Sequence, residues 1–125
     1  ETGADTEVAT IFTHASGAIS TSVSASRSAG PNTAHVVGTD ARIDIDRVWY
    51  TPTSFRVTGA DGTVIEEFVS DIEGRGMQFQ AIAAEEIIAA GRTDSDRLPL
   101  DESVAIMETL DEVRSQIGLR YPQEH

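Results

Sequence analysis

The first two-thirds of the chain alternates apolar and polar residues with a period of two, which is typical of β-strands with one covered face. The clearest alternation runs over residues 18–27, where Ile19 and Val23 are predicted to face a core and a row of serines lies on the other face. Short turns rich in Gly, Pro and Asp separate such segments, and the turn at 59–62 predicts a hairpin. The six predicted strands are residues 8–13, 18–27, 33–37, 41–46, 54–58 and 63–68.

The apolar spacing changes to three and four residues in the last third, which predicts two amphipathic helices. The first covers residues 78–90 with Gly91 as its C-terminal cap, and the second starts at Asp101 as its N-cap and ends at Gly118. Strands followed by helices indicate an α+β fold. We predict two layers, an open and mostly antiparallel sheet of about six strands with the helices on one face. The other face of the sheet is then left for a partner or for water.

Composition narrows the classes of function. The 125 residues fit a single domain, 1–125. A net charge of -12 repels nucleic-acid phosphates and anionic lipid, so neither nucleic acid nor membrane is predicted as a partner. The absence of cysteine excludes disulfides and thiolate zinc sites and fits a cytoplasmic location. Every basic residue is an arginine, so Schiff-base and lysine acid–base catalysis cannot come from this chain.

The aromatic segment Trp49-Tyr50-Thr51-Pro52 is the first candidate for a binding site. A tryptophan in a loop between strands either anchors a core or forms a wall against a ligand ring, such as a sugar or an aromatic diol. Met77 and Phe79, at the start of the first helix, are candidates to complete that wall. Phe79 also fits the apolar stripe of the helix, so its core role stays open beside the binding role.

The glycine pair in Gly74-Arg75-Gly76 precedes the first predicted helix. It forms either a tight turn or a loop that shapes the edge of a substrate pocket, where free backbone N–H groups can hold an anion. It does not match the dinucleotide fingerprint, because Phe79 stands where a third glycine is needed.

Other ligand-type residues give no coherent site. The carboxylates around the fourth strand lack the spacing of a calcium loop, and the histidines are far apart, so no metal site is predicted. The absence of a Gly-x-Ser-x-Gly elbow leaves a serine hydrolase without support. Two further acids after the first helix are predicted to be solvated linker charges. These residues are Asp40, Asp44 and Asp46, then His14, His35 and His125, then Asp94 and Asp96.

Six short segments together carry a family resemblance. They are Gly38-Thr39-Asp40, Trp49-Tyr50-Thr51-Pro52-Thr53, Gly74-Arg75-Gly76-Met77-Gln78-Phe79-Gln80-Ala81, Ala90-Gly91-Arg92-Thr93-Asp94-Ser95, Leu98-Pro99-Leu100-Asp101-Glu102-Ser103 and Ile117-Gly118-Leu119-Arg120-Tyr121-Pro122. In this order and spacing they resemble the C-terminal part of the glucose–fructose oxidoreductase/inositol dehydrogenase (Gfo/Idh/MocA) superfamily, and within it the dimeric dihydrodiol dehydrogenases. The resemblance extends over nearly the whole chain.

The resemblance implies a parent enzyme whose N-terminal Rossmann domain, absent from this chain, binds NAD or NADP. It also implies hydride transfer at a hydroxyl-bearing carbon of a sugar, polyol or diol, with a lysine of the N-terminal half as general acid/base. This chain would supply the substrate-side domain and a homodimer interface on the exposed sheet face. Trp49, Tyr50, Met77 and Phe79 would bind the small-molecule substrate. Catalytic, cofactor-binding and metal residues would lie elsewhere, and the chain alone would be inactive.

Two other classes of function stay open. The same fold can serve as a stand-alone, non-catalytic module that dimerises or binds a small ligand. A small α+β enzyme acting through carboxylates is a third reading, and it needs two acids of raised pKa in one pocket.

Overall fold

The computed structural model of the chain describes residues 4–121, which form six strands and two helices. Every strand pairing within residues 4–121 is antiparallel, and the predicted α+β class is confirmed. Each strand lies within two residues of its predicted bounds. The elements are β1 (Glu7–Thr13), β2 (Ile19–Ala25), β3 (Ala34–Val37), β4 (Ala41–Ile45), β5 (Phe55–Gly59), β6 (Val64–Phe68), α1 (Met77–Ala89) and α2 (Leu100–Ile117).

The strands divide into two sheets that belong to two compact units of the chain. The first unit comprises Glu1–Gly30 and Arg92–His125 and contains the β1–β2 hairpin and α2. The second comprises Pro31–Gly91 and contains the four-stranded sheet β3-β4-β5-β6 and α1. The division follows Gly30 and Pro31, where proline has no backbone N–H to extend a ladder. A single open sheet of about six strands was predicted, whereas the structure has these strands in sheets of two and four. The difference arises because alternation along the sequence reports strand formation and not strand partners.

The four-stranded sheet has one apolar face, formed by alternate residues of its strands. Ile43, Ile45, Phe55 and Val57 lie on this face and are half-buried. The rings of Phe55 and Phe68 stack across β5 and β6 with centroids 5.2 Å apart. The predicted inward orientation of Ile43 and Ile45 is therefore confirmed.

The opposite face of this sheet carries a row of charged residues that crosses all four strands. The strand registers place His35, Asp44, Arg56 and Glu67 side by side. Asp44 accepts a hydrogen bond from Arg42 Nε at 2.9 Å and pairs with His35 Nδ1 at 2.9 Å, while Arg56 Nε donates to Glu67 at 2.6 Å. Charges of opposite sign on neighbouring strands stabilise the register of a sheet. The row explains why β4 alternates apolar with charged residues.

The half-buried face of the β1–β2 hairpin is the opposite of the one predicted. Val8, Thr10 and Phe12 of β1 are half-buried, on the face that also carries the serine row of β2. The other face is exposed, with Ile19 at 68% and Val23 at 80% of their full accessibility. The prediction that these two residues face a core is therefore wrong for the folded chain, because the described part of this unit has no apolar surface over them.

The N-terminus of helix α2 is capped by the side chain of a residue in the preceding linker, Asp94. Its first backbone N–H, on Leu100, donates to Asp94 Oδ1 at 3.0 Å, and Ser95 N–H donates to the same oxygen at 2.8 Å. Asp101 was predicted as the N-cap, but it lies inside the first turn, where its charge favours the positive end of the helix. Asp94 is exposed in the linker, as predicted, and in addition it fixes the helix start. At the other end, Gly118 is left-handed as predicted.

Neither helix within residues 4–121 is both long and apolar enough to cross a membrane. Helix α1 begins after Gly76 and ends with a cap at Ala90, and left-handed Gly91 follows as predicted.

The described residues include no fully covered large apolar side chain, and 24 large apolar or aromatic side chains are exposed. The accessible surface is 10544 Å² for a mass of 13.4 kDa. Two separate compact bodies of half that mass would together expose about 7,800 Å². The chain therefore exposes more surface than two compact bodies of its mass would, and the 24 exposed large side chains contribute to it. Apolar area in water is unfavourable by roughly 25 cal/mol per Å².

The charged row makes a prediction about acid stability. Hydrogen bonds from Arg42, and then from His35, hold the pKa of Asp44 below its ordinary value. A folded-state pKa below the unfolded one stabilises the fold at higher pH, and this contribution is lost as the pH falls below about 4. We expect Asp44→Asn to unfold at lower urea concentration than wild type near neutral pH, with the two converging in acid.

The matched control is Asp46→Asn, at an exposed position directly after the same strand, which should track wild type at both pH values. An Asp44→Asn variant as stable as wild type at neutral pH would show that the charged row does not stabilise the sheet.

Candidate functional site

The aromatic segment lies in the loop between β4 and β5, and both of its rings are available to a ligand. Trp49 is 50% exposed, and Tyr50 is also exposed. The two rings meet edge to face, with centroids 5.8 Å apart and planes at 84°. This geometry is the favoured one for an aromatic pair. It fixes each ring against the other without burying either one, so Trp49 does not act as a core anchor in the described structure.

Backbone hydrogen bonds hold this loop in shape. The carbonyl of Asn32 accepts from the N–H groups of Val48 and Trp49, at 3.0 and 3.4 Å. The carbonyl of Val48 accepts from the N–H of Thr51 at 2.9 Å and from its hydroxyl at 2.8 Å. Asn32 and Val48 are the described non-glycine residues with positive φ, at 55° and 60°. The aromatic pair therefore stands on a turn whose backbone is fixed from both sides.

The start of α1 approaches the same loop through two small groups. Gly74 and Gly76 are left-handed, with φ of 78° and 75°, which supports the tight-turn reading of this segment. A Cβ atom on Gly76 would lie 2.8 Å from Pro52 Cγ, so only glycine permits this approach. The same position is 3.6 Å from the ring of Phe79. Pro52 and Gly76 thus bring the end of the aromatic loop against the first turn of the helix.

The four predicted substrate-binding residues are brought together only in part. Trp49 and Tyr50 touch, whereas Phe79, 50% exposed, is not among the ring pairs in contact within residues 4–121. Met77 is exposed, and its sulfur lies 3.8 Å from the side-chain amide of Gln80. Pro52 follows Trp49 and Tyr50 in the loop and approaches Gly76, which directly precedes α1. All four side chains thus reach solvent from the second unit, and two of them form a fixed aromatic corner.

Asn32 was not singled out in the sequence prediction. Thr51 and Pro52 appeared there as members of the aromatic segment, without a supporting role. Asparagine tolerates the left-handed conformation, which was the available signal at position 32. Nothing in the residue type of Val48 points to that conformation.

The titratable residues give no second centre. Within the described residues, no three His, Asp or Glu side chains lie together in a group that could hold a metal ion. His14 bonds to Ser20 and His35 to Asp44, and His125 lies outside the described residues. The pKa of Asp44 lies below its ordinary value, as described above. Hydrogen bonds from Thr63 likewise lower the pKa of Asp61. A carboxylate enzyme needs raised values, so this reading gains no support.

The described residues do not form a Rossmann site for a dinucleotide. A Rossmann site needs a parallel strand–helix–strand unit with a glycine-rich turn, whereas each strand pairing here is antiparallel. The glycine turn at 74–76 follows a loop and not a strand. No step of hydride transfer is therefore assigned to a nucleotide held by this chain.

Comparison with known proteins finds relatives along nearly the whole chain. A trans-1,2-dihydrobenzene-1,2-diol dehydrogenase of Mus musculus is 30% identical over 128 residues, which cover 99% of this chain. The Bos taurus dehydrogenase of the same name is 32% identical and also covers 99% of the chain. That of Danio rerio is 28% identical over 75% of it. No family model and no solved structure matches the chain.

These relatives show which class of enzyme, and which family within it, the chain is similar to. The chain is homologous to a segment of oxidoreductases of the Gfo/Idh/MocA type. Among them, its relatives are the dihydrodiol dehydrogenases, which confirms the resemblance carried by the six sequence segments. The chain spans 38% of the length of the mouse and bovine proteins and 29% of the zebrafish protein.

The contact between Pro52 and Gly76 makes a testable prediction. Gly76→Ala adds a left-handed penalty and a Cβ that collides with Pro52, so we expect a loss of about 2–4 kcal/mol in unfolding free energy. Gly74→Ala is the matched control, because it has a similar φ but nothing within 4 Å of the added Cβ. It should cost about 1–2 kcal/mol. Urea unfolding of both variants measures the difference, and equal losses would show that the contact with Pro52 does not constrain the loop.

Proposed function

We propose that this chain forms the substrate-side and dimer-forming domain, residues 1–125, of an NAD(P)-dependent oxidoreductase that acts on a hydroxyl of a sugar, polyol or diol. The observation that carries the proposal is the exposed apolar surface of a chain that matches 38% of the length of dihydrodiol dehydrogenases. A domain taken from a larger enzyme leaves uncovered the surfaces that its other parts would cover. We place the parent enzyme in the cytoplasm, which the absence of cysteine fits.

In this proposal the aromatic corner forms one wall of the substrate pocket. Trp49 offers a large apolar surface to a planar ring, and Tyr50 adds a phenolic hydroxyl that can donate or accept a hydrogen bond. Met77 and Phe79 extend the wall from the start of α1. The role of these side chains is to orient the substrate and to exclude water from its reacting carbon.

The chemistry itself is proposed to come from outside this chain. A bound nicotinamide nucleotide would exchange hydride with the hydroxyl-bearing carbon, and a Rossmann domain preceding this chain would hold it. The proton of the hydroxyl needs a base, and the resemblance implies a lysine from that domain. The chain contains no lysine, so it has to borrow this group. On its own it is expected to show no turnover.

The sequence predicted a homodimer through the sheet face that carries the serine row of β2. Because the opposite face of the β1–β2 hairpin is the exposed apolar one, we propose the homodimer there. Ile11, Ile19 and Val23 lie on one face of this hairpin, at cross-strand positions shared with small residues. A flat apolar face of this kind can pair with its own copy about a twofold axis, because the same patch serves both subunits.

A stand-alone binding module is the second candidate. The aromatic corner, its supporting turn and the start of α1 all lie within residues 31–91, so the pocket wall needs no residue from a further domain to keep its shape. Nucleotide-dependent turnover by the complete protein distinguishes the enzyme from the module.

We expect the complete protein to oxidise trans-1,2-dihydrobenzene-1,2-diol or a related polyol with NAD or NADP, and the 125-residue chain alone to be inactive. In the complete protein, Trp49→Ala should raise KM roughly tenfold with a much smaller change in kcat, because it removes apolar contact shared by bound and reacting states. Val69→Ala removes an exposed apolar side chain outside the wall and should leave KM unchanged.

Initial rates of nucleotide reduction compare the complete wild-type protein, the two variants and the 125-residue chain alone. Turnover by the chain alone, or an unchanged KM in Trp49→Ala, would contradict the proposed division of roles.

A further inference from the structure

Val48 adopts a backbone conformation that its side chain disfavours. Its φ of 60° lies in the left-handed region, which glycine and asparagine enter readily and β-branched residues avoid. Such a conformation persists only where surrounding groups hold it. The residue that follows is Trp49, so the disfavoured dihedral sets the direction in which the aromatic corner leaves the strand.

Both peptide groups of Val48 are held by hydrogen bonds. On one side, its N–H donates to the carbonyl of Asn32 at 3.0 Å. On the other side, its carbonyl accepts from the N–H and the hydroxyl of Thr51, at 2.9 and 2.8 Å. The hydroxyl is the one contact in this set that comes from a side chain, so it is the one that a substitution can remove without changing the backbone.

The disfavoured conformation is not offset by burial of the rings that it directs. Trp49 and Tyr50 both remain about half exposed or more. A turn that served the core would place at least one of these large rings inside, since their burial is the largest stabilising term available to the loop. The conformation instead presents both rings to solvent, in the fixed edge-to-face arrangement.

We propose that Val48 and Thr51 are positioning residues: the Thr51 hydroxyl holds Val48 in the left-handed conformation, and this turn, residues 48–51, aims Trp49 into the substrate wall. The inference rests on the proposed function for the identity of the ligand, and not for the geometry of the turn. It makes Thr51 a determinant of ligand affinity although it belongs to the support of the wall and not to its surface.

The test is a double-mutant cycle with glycine as the rescuing residue. Thr51→Val is isosteric and removes only the hydroxyl, so valine at 48 is expected to relax out of the left-handed region. Val48→Gly removes the steric reason to relax, because glycine accepts positive φ freely. The double variant should therefore recover the wild-type turn, whereas a packing role for Thr51 would not be rescued by a change at position 48.

Trp49 is the sole tryptophan of the chain and reports on its own position. We expect Thr51→Val to shift its emission maximum and to raise its quenching by acrylamide, with Val48→Gly close to wild type and the double variant restored. Circular dichroism confirms that each variant is folded. An unshifted Thr51→Val, or a double variant that behaves like Thr51→Val, overturns the proposal.

The second readout is binding of trans-1,2-dihydrobenzene-1,2-diol to the complete protein. Its dissociation constant should rise about two- to tenfold in Thr51→Val, the range for one lost hydrogen bond, and return in the double variant. If the wild-type protein binds no diol while the fluorescence cycle behaves as expected, the proposed function fails and the positioning role stands. If the diol binds equally to all variants, the positioning role fails and the proposed function stands.

Discussion

Uncovered apolar surface is the constraint on which the account of this chain depends. Folding is driven by removal of apolar area from water, yet the described residues cover no large apolar side chain completely. The sheets, helices and caps are well formed, so local structure is not the missing part. What residues 4–121 lack is full cover over the apolar faces of these elements. In the proposed function, the remainder of a longer dehydrogenase would supply that cover.

The aromatic corner shows the opposite behaviour and is completed by the chain itself. Its backbone is fixed by Asn32 and Thr51, and its far end is set by the approach of Pro52 to Gly76. A binding wall has to keep its shape before the ligand arrives, since ordering it on binding would reduce affinity. Local hydrogen bonds and a glycine contact provide this order without a deep core. We therefore propose different roles for the two features: the aromatic corner is a preformed binding wall, and the exposed apolar faces are interfaces with a partner.

The secondary structure could be predicted from the sequence because alternation and helical spacing are local properties. Asp101 was wrongly predicted as the N-cap of α2 because more than one acidic residue lies near the helix start. Only the folded linker shows that Asp94 is the residue that accepts from the first backbone N–H. The orientation of Ile19 and Val23 was misassigned because a period of two identifies two faces without showing which one is covered. The aromatic candidates were found by residue type, but the left-handed Val48 beneath them has no sequence signal.

The central claim is that the free apolar faces of this chain are interfaces and not solvated surface. Light scattering on the purified chain, over a dilution series down to low micromolar concentration, tests it most directly. We expect a mass of twice 13.4 kDa that persists on dilution, because the exposed apolar face of the β1–β2 hairpin can pair with that of a second copy about a twofold axis. A constant mass of 13.4 kDa at every concentration would contradict it, since the chain would then be stable with those faces in water.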